Sequence, residues 1–202
     1  MADFLTQFVA DFAEAMRTVD ARAPVAERAR GKGTFQPGIG PHTEDAVVAM
    51  CVTEMARAHP ARYGAHSRAV PYDSVSRARC DRCFGAAPRR EWAIEAKLLR
   101  ILGDHGKPND NMLMHILSPY PQDRSALTDC SKLAASPIAE RKAVMIFGYP
   151  HEEWPLEPAI SAFERLAAAS VRLGARRSAG VDGLIHPVHR AAAVYAWEID
   201  PR

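Results

Sequence analysis

The chain has 202 residues, 48% hydrophobic and 25% charged, with a formal net charge of +2. Such a composition suits a globular domain with a sizeable core, and excludes a disulfide-dense scaffold and a disordered chain. No apolar run approaches the roughly 20 residues needed to cross a bilayer, and the acidic start at Asp3 lacks the basic flank of a secretory signal. Cys51, Cys80, Cys83 and Cys130 are spaced without a disulfide rhythm, so a reducing, cytoplasmic setting is expected. The charge is uneven: residues 1–56 carry 5 basic and 8 acidic side chains (net −3), residues 57–107 carry 11 and 5 (net +6), and residues 108–202 carry 10 and 11 (net −1). A positive middle segment can meet a phosphate backbone or be an ordinary arginine-rich surface.

In chain order, Phe4, Phe8, Phe12, Met16 and Val19 recur at spacings of three or four and predict a helix over 1–23, with a stripe suited to a core or a subunit contact. Residues 30–41 are rich in glycine and proline and predict a loop. Gly31-Lys32-Gly33-Thr34 lacks the upstream glycine of a phosphate-binding loop. Thr43 is a good N-cap for a second helix running to His59, where Pro60 follows. A short strand is expected within 68–79, then two strands over 80–98 around a turn near Pro88. Further expectations are a polar loop at 103–111, a helix over 110–117 broken by Ser118-Pro119-Tyr120-Pro121, and a helix over 123–135. An unbroken apolar strand at 143–149 should be central in a sheet. A helix at 158–173, a loop at 174–183 containing Arg176 and Arg177, and strands at 184–190 and 193–199 complete the chain. His186 and His189, with Pro187 between them, read as surface or core histidines rather than a metal site.

The stretch from Cys80 to Leu98 carries the chemistry. Strand side chains alternate between faces, so Glu95 and Lys97 share one face and Ile94, Ala96 and Leu98 the other. A turn centred on Pro88 places Asp81 directly opposite Glu95. Opposed residues on antiparallel strands have Cβ atoms about 4.5–5.5 Å apart, close enough for both carboxylates to hold one cation. Asp73 is the alternative first acid. Cys80 and Cys83, alone among possible zinc ligands, read as buried small hydrophobes with thiols on opposite strand faces.

Asp81, a hairpin and Glu95-Ala96-Lys97 together resemble the PD-(D/E)XK nuclease superfamily, although Cys80 stands where the name-giving motif has proline. The resemblance covers about Glu44 to Phe147, roughly half the chain. It implies an α/β fold with a restriction-endonuclease-like core, a central mixed β-sheet flanked by α-helices. On that plan residues 1–202 form a single domain: 1–40 an N-terminal helix and loop elaboration, about 44–150 the catalytic core, and 151–202 a C-terminal helix and strands. It also implies a Mg2+-dependent endodeoxyribonuclease, with Mn2+ able to substitute, in restriction, phage defence or repair. Asp81, Glu95 and the Ala96 carbonyl would hold the metal, Lys97 would orient water or stabilise charge, and Glu44, on the helix before the hairpin, would lie near the metal. The loop leaving the strand places Arg100, His105, Lys107 and Asn109 as substrate contacts. DNA is the expected partner and a homodimer the expected assembly, with the aromatic N-terminal helix available as its interface. The alternative is a nuclease-like DNA-binding or assembly subunit without catalysis.

Overall fold

The computed structural model describes residues 3–28, 33–72 and 78–200. The helices are α1 (Phe4–Asp20), α2 (Glu44–Ala58), α3 (Pro60–Tyr63), α4 (Met114–Leu117), α5 (Ala126–Ala135) and α6 (Glu157–Ala167). The strands are β1 (His66–Pro71), β2 (Arg79–Phe84), β3 (Trp92–Leu99), β4 (Arg141–Gly148), β5 (Arg172–Leu173), β6 (Arg177–Asp182) and β7 (Ala191–Asp200). The seven strands form one mixed sheet in the order β1-β2-β3-β4-β7-β5, with β6 also pairing with β7. β3 and β4 run parallel, and every other pair is antiparallel. Among the described residues no helix is long and apolar enough to cross a membrane.

Strand alternation divides the core into two layers. Ala143, Met145 and Phe147 of β4 face α1 and α2, whereas Val144 and Ile146 face α5 and α6. Both faces of β4 are covered, which is why its sequence is continuously apolar. The α1 stripe packs onto the sheet: Phe4 stacks on Trp92 with centroids 4.8 Å apart, and Phe8 meets Phe84 edge-on. Phe8 and Phe12 are 1% and 0% exposed. The helix expected to offer a subunit interface is therefore consumed by the fold, because each ring buried here contributes roughly 1.5–3 kcal/mol.

Caps at both ends of α2 match the sequence: Thr43 accepts the Ala46 N–H, and His59 closes the last turn. Pro60, expected only to stop that helix, opens the short α3, since proline suits a first helical turn. Other boundaries differ. The helix expected at 110–117 shrinks to α4, because Asn111 takes a left-handed φ of 63° after a run of turn-forming residues. The helix expected to reach 173 ends at Ala167 and gives way to β5. Residues 177–182, expected as loop, form β6, whose small residues alternate between half-buried and exposed on a sheet edge. Residues 184–190, expected as strand, form a turn: Gly183 has a φ of 76°, the Leu184 N–H bonds the Arg190 carbonyl, and Pro187 has no N–H for a ladder. Residues 1–40, expected as an elaboration, contribute α1 to the core, and residues 151–202, expected as a helix and strands, contribute α6, β5, β6 and β7.

Candidate active site

The β2–β3 ladder pairs Phe84 with Trp92, Cys83 with Ala93 and Arg82 with Ile94, and stops there. One further step would set Asp81 opposite Glu95. Instead the strands part, and side chains take over the bare edge of β3. Asp81 Oδ2 accepts the Ala96 N–H at 2.8 Å, and Glu44 Oε2 accepts the Leu98 N–H at 2.7 Å. Partly buried backbone N–H groups need acceptors, so both carboxylates are held by the edge they serve. Across β2 from the parting, Ala69, between the Arg68–Arg82 and Val70–Cys80 pairs of the β1–β2 ladder, has a φ of 52°. That is strained for a residue with a Cβ. Cys80 and Cys83, expected on opposite faces, lie in one buried cluster against α5.

Glu95 is 2% exposed and accepts the Tyr72 hydroxyl at 2.7 Å through Oε1. Burial first, then the neighbouring Asp129 and Asp81 carboxylates, pushes its pKa above the usual carboxylate range. Glu44 is shifted the same way, chiefly by burial. Asp129, on α5, is 1% exposed and lies between two lysines. Lys97 Nζ is 2.8 Å from its Oδ2, and the Lys132 ammonium meets its Oδ1. Lys97 is also 3.7 Å from Glu44 Oε1, and Lys132 is 3.7 Å from Glu95 Oε1. Burial works against the charge on Lys97, but Asp129 and Glu44 outweigh it and hold the amine protonated.

The structure thus brings Asp81, Glu95, Lys97 and Glu44 together from β2, β3 and α2. Tyr72, Asp129 and Lys132 join them without having been foreseen. Asp129 and Lys132 had a weak signal: they lie one helical turn apart beside the apolar residues Cys130 and Leu133, but a helix pattern cannot tell a solvated charge from one facing a sheet. Asp73 lies outside the described residues.

The four residues of the following loop go elsewhere. Arg100 Nη1 donates to the Gly40 carbonyl at 2.7 Å and to that of His42 at 3.5 Å, and Asn109 Nδ2 donates to the Arg100 carbonyl. His105 Nδ1 accepts the Lys107 N–H, with both residues exposed. The loop closes on itself through the Leu102–Pro108 bridge and sends Asp104 to His189 at 3.1 Å. It does not overhang the acidic cluster, because its hydrogen bonds tie it to the 40–42 and 186–189 segments.

Asp104, His186 and His189 are the one group among the described residues whose ligand atoms all lie within 4.8 Å of one another. The two rings stack at 4.7 Å with 19° between their planes, so their in-plane lone pairs run side by side rather than converging on one ion. His186 Nδ1 is also occupied by the N–H groups of Val188 and His189. Both histidines are buried, His186 at 0% and His189 at 2% exposed. No family model matches the chain, and neither a curated protein nor a solved structure matches it.

Proposed function

We propose that the chain is a metal-dependent endodeoxyribonuclease built on a restriction-endonuclease-like core. The observation that carries this reading is the parted β2–β3 edge, where Asp81, Glu95, Lys97 and Glu44, the residues singled out by the PD-(D/E)XK resemblance, come together. The order α2, β1, β2, β3, α5, β4, with β4 parallel to β3, supports the same reading.

The donor set fits Mg2+. Four carboxylates (Glu44, Asp81, Glu95, Asp129) face two ammoniums (Lys97, Lys132), an excess of two negative charges matching one divalent ion. Hydrogen bonds to Ala96 and Tyr72 engage one oxygen each of Asp81 and Glu95. Their other oxygens accept no hydrogen bond from the described residues, which leaves them open to a hard cation. Asp81 and Glu95 would hold the ion, with the Ala96 carbonyl beside them as the resemblance implies. Bound there, Mg2+ would supply an activated water and stabilise charge on the phosphate.

The chain's own groups have separate tasks. Tyr72 fixes the Glu95 carboxylate in orientation. Lys97, held protonated beside Asp129 and Glu44, balances the charge of the carboxylates and does not act as a general base. DNA is favoured over RNA as substrate by the absence of a base-stacking RNA signature, and the surplus of positive charge at 57–107 suits a phosphate backbone. One such site cuts one strand, so double-strand cleavage would take two copies. The test is incubation of supercoiled plasmid with Mg2+, Mn2+ or EDTA. Metal-dependent nicking that Glu95→Ala abolishes is expected. Salt-sensitive DNA binding without cutting by the wild type would favour the non-catalytic subunit.

A further inference from the structure

The two lysines of the cluster are not equivalent, and counting their donors separates them. A lysine ammonium has three N–H donors and no acceptor. Lys97 directs its donors at Asp129 Oδ2 at 2.8 Å and the Ala96 carbonyl at 3.3 Å, with Glu44 Oε1 at 3.7 Å as a third acidic neighbour. Its side chain is 12% exposed. Its ammonium is therefore surrounded by protein oxygens. Lys132 has one close partner, Asp129. Its second acidic neighbour, Glu95 Oε1, is 3.7 Å away and already receives the Tyr72 hydroxyl. Lys132 is 24% exposed, and its ammonium lies 5.7 Å from the Tyr72 ring centroid, a contact that favours the charge and limits where it can swing.

We propose that Lys132, the lysine outside the Glu-X-Lys pair, is the cation that contacts the substrate phosphate. Lys97 is an internal counter-ion, and Asp129 is a positioning residue that holds both ammoniums beside the carboxylates. The proposal rests on the nuclease reading and adds a catalytic residue to it. Asp129 makes the division possible because each of its buried oxygens forms an ion pair with a different lysine.

The experiment measures binding of a short DNA duplex over a range of salt concentrations, with Ca2+ in place of Mg2+. A lysine that neutralises a phosphate releases a counterion, so removing it lowers the slope of log K against log salt by about 1. Lys132→Ala is expected to lower the slope by that amount and Lys132→Arg to restore it, while Lys97→Gln leaves it unchanged. In the Mg2+ assay, Lys132→Ala should lose roughly 10²-fold in kcat, as for a single transition-state donor, and Lys132→Arg should recover most of it. An unchanged slope in Lys132→Ala, or a change confined to Lys97→Gln, overturns the proposal and leaves the nuclease reading standing. Failure of the wild type to bind any DNA overturns the nuclease reading itself. Should Lys97→Gln not fold, the Lys132→Ala and Lys132→Arg pair decides the question alone.

Discussion

Two polar clusters are buried at the margins of this sheet, and they are built on opposite principles. At the β2–β3 edge, Glu44, Asp81, Glu95 and Asp129 crowd together with only two lysines between them. Around Asp20, by contrast, both carboxylate oxygens are matched: Oδ1 accepts the Ile39 N–H at 2.8 Å and Oδ2 the Ile185 N–H at 2.7 Å. Next to it His186 and His189 stack, and Asp104 bonds His189. The first cluster is left with unspent acceptors and surplus charge, the condition of a binding site. The second uses its acceptors to tie three loops together, the condition of a structural joint. Burial and residue type alone do not separate them; charge balance and the direction of each lone pair do.

Substitutions should separate the two clusters by what each one loses. The largest effect is expected from Glu95→Gln, which keeps the side-chain volume and the Tyr72 contact. Metal-dependent cleavage should fall at least roughly 10³-fold, with a melting temperature equal to or above that of the wild type, because a crowded carboxylate has been removed. A large loss of melting temperature in that variant would reassign the acidic cluster to structure.

Asp20→Ala should behave in the opposite way. Two backbone N–H groups lose their acceptor, at roughly 1–3 kcal/mol each when buried, so the midpoint of chemical denaturation should drop clearly while cleavage per folded molecule is kept. Loss of cleavage from the folded fraction would join the two clusters functionally. Gly40→Ala sharpens the same contrast. A Cβ there would stand 2.5 Å from the His189 ring, an overpacking expected to cost roughly 1–3 kcal/mol, again read by denaturation with cleavage as the control.

The smallest effect concerns a surface cap far from both clusters. Asp3 accepts the Thr6 N–H at the start of α1 and pairs with Arg177. Chiefly through the backbone hydrogen bond, its carboxyl is lowered to about 2 from 3.8. A depressed acid stabilises the fold above its unfolded value and loses that contribution as pH falls towards 2. Asp3→Ala should therefore cost about 1 kcal/mol at neutral pH, and the gap from wild type should close between pH 4 and 2. A gap independent of pH would assign the loss to packing instead of the cap.

Much of this architecture could be read from the chain. The Phe4-Phe8-Phe12 stripe, the Thr43 cap, the apolar run at 143–149 and the symmetry about Pro88 each encode local structure, because period and capping chemistry act over a few residues. The β6 edge strand could not be read, because half-buried alternation of Ser178, Ala179 and Gly180 resembles loop composition. The turn at 184–190 could not be read either, since Leu184, Ile185 and Val188 suggest a strand until Pro187 and Gly183 are given their backbone demands. Within the site, Glu95 and Lys97 followed from strand period, and Asp81 from hairpin symmetry.

By itself, then, the sequence determined the helices, the hairpin, the central strand and which β3 residues share a face, all consequences of short-range periodicity. Only the tertiary structure decided that β2 and β3 part, so that Asp81 and Glu44 bond the β3 edge. It also decided that Asp129 and Lys132 face that edge from the opposite layer, and that Arg100 and its loop turn towards Gly40 and His189 instead. Those outcomes depend on contacts between residues from fifteen to more than eighty positions apart, and no local pattern encodes which charged side chain a distant strand will meet.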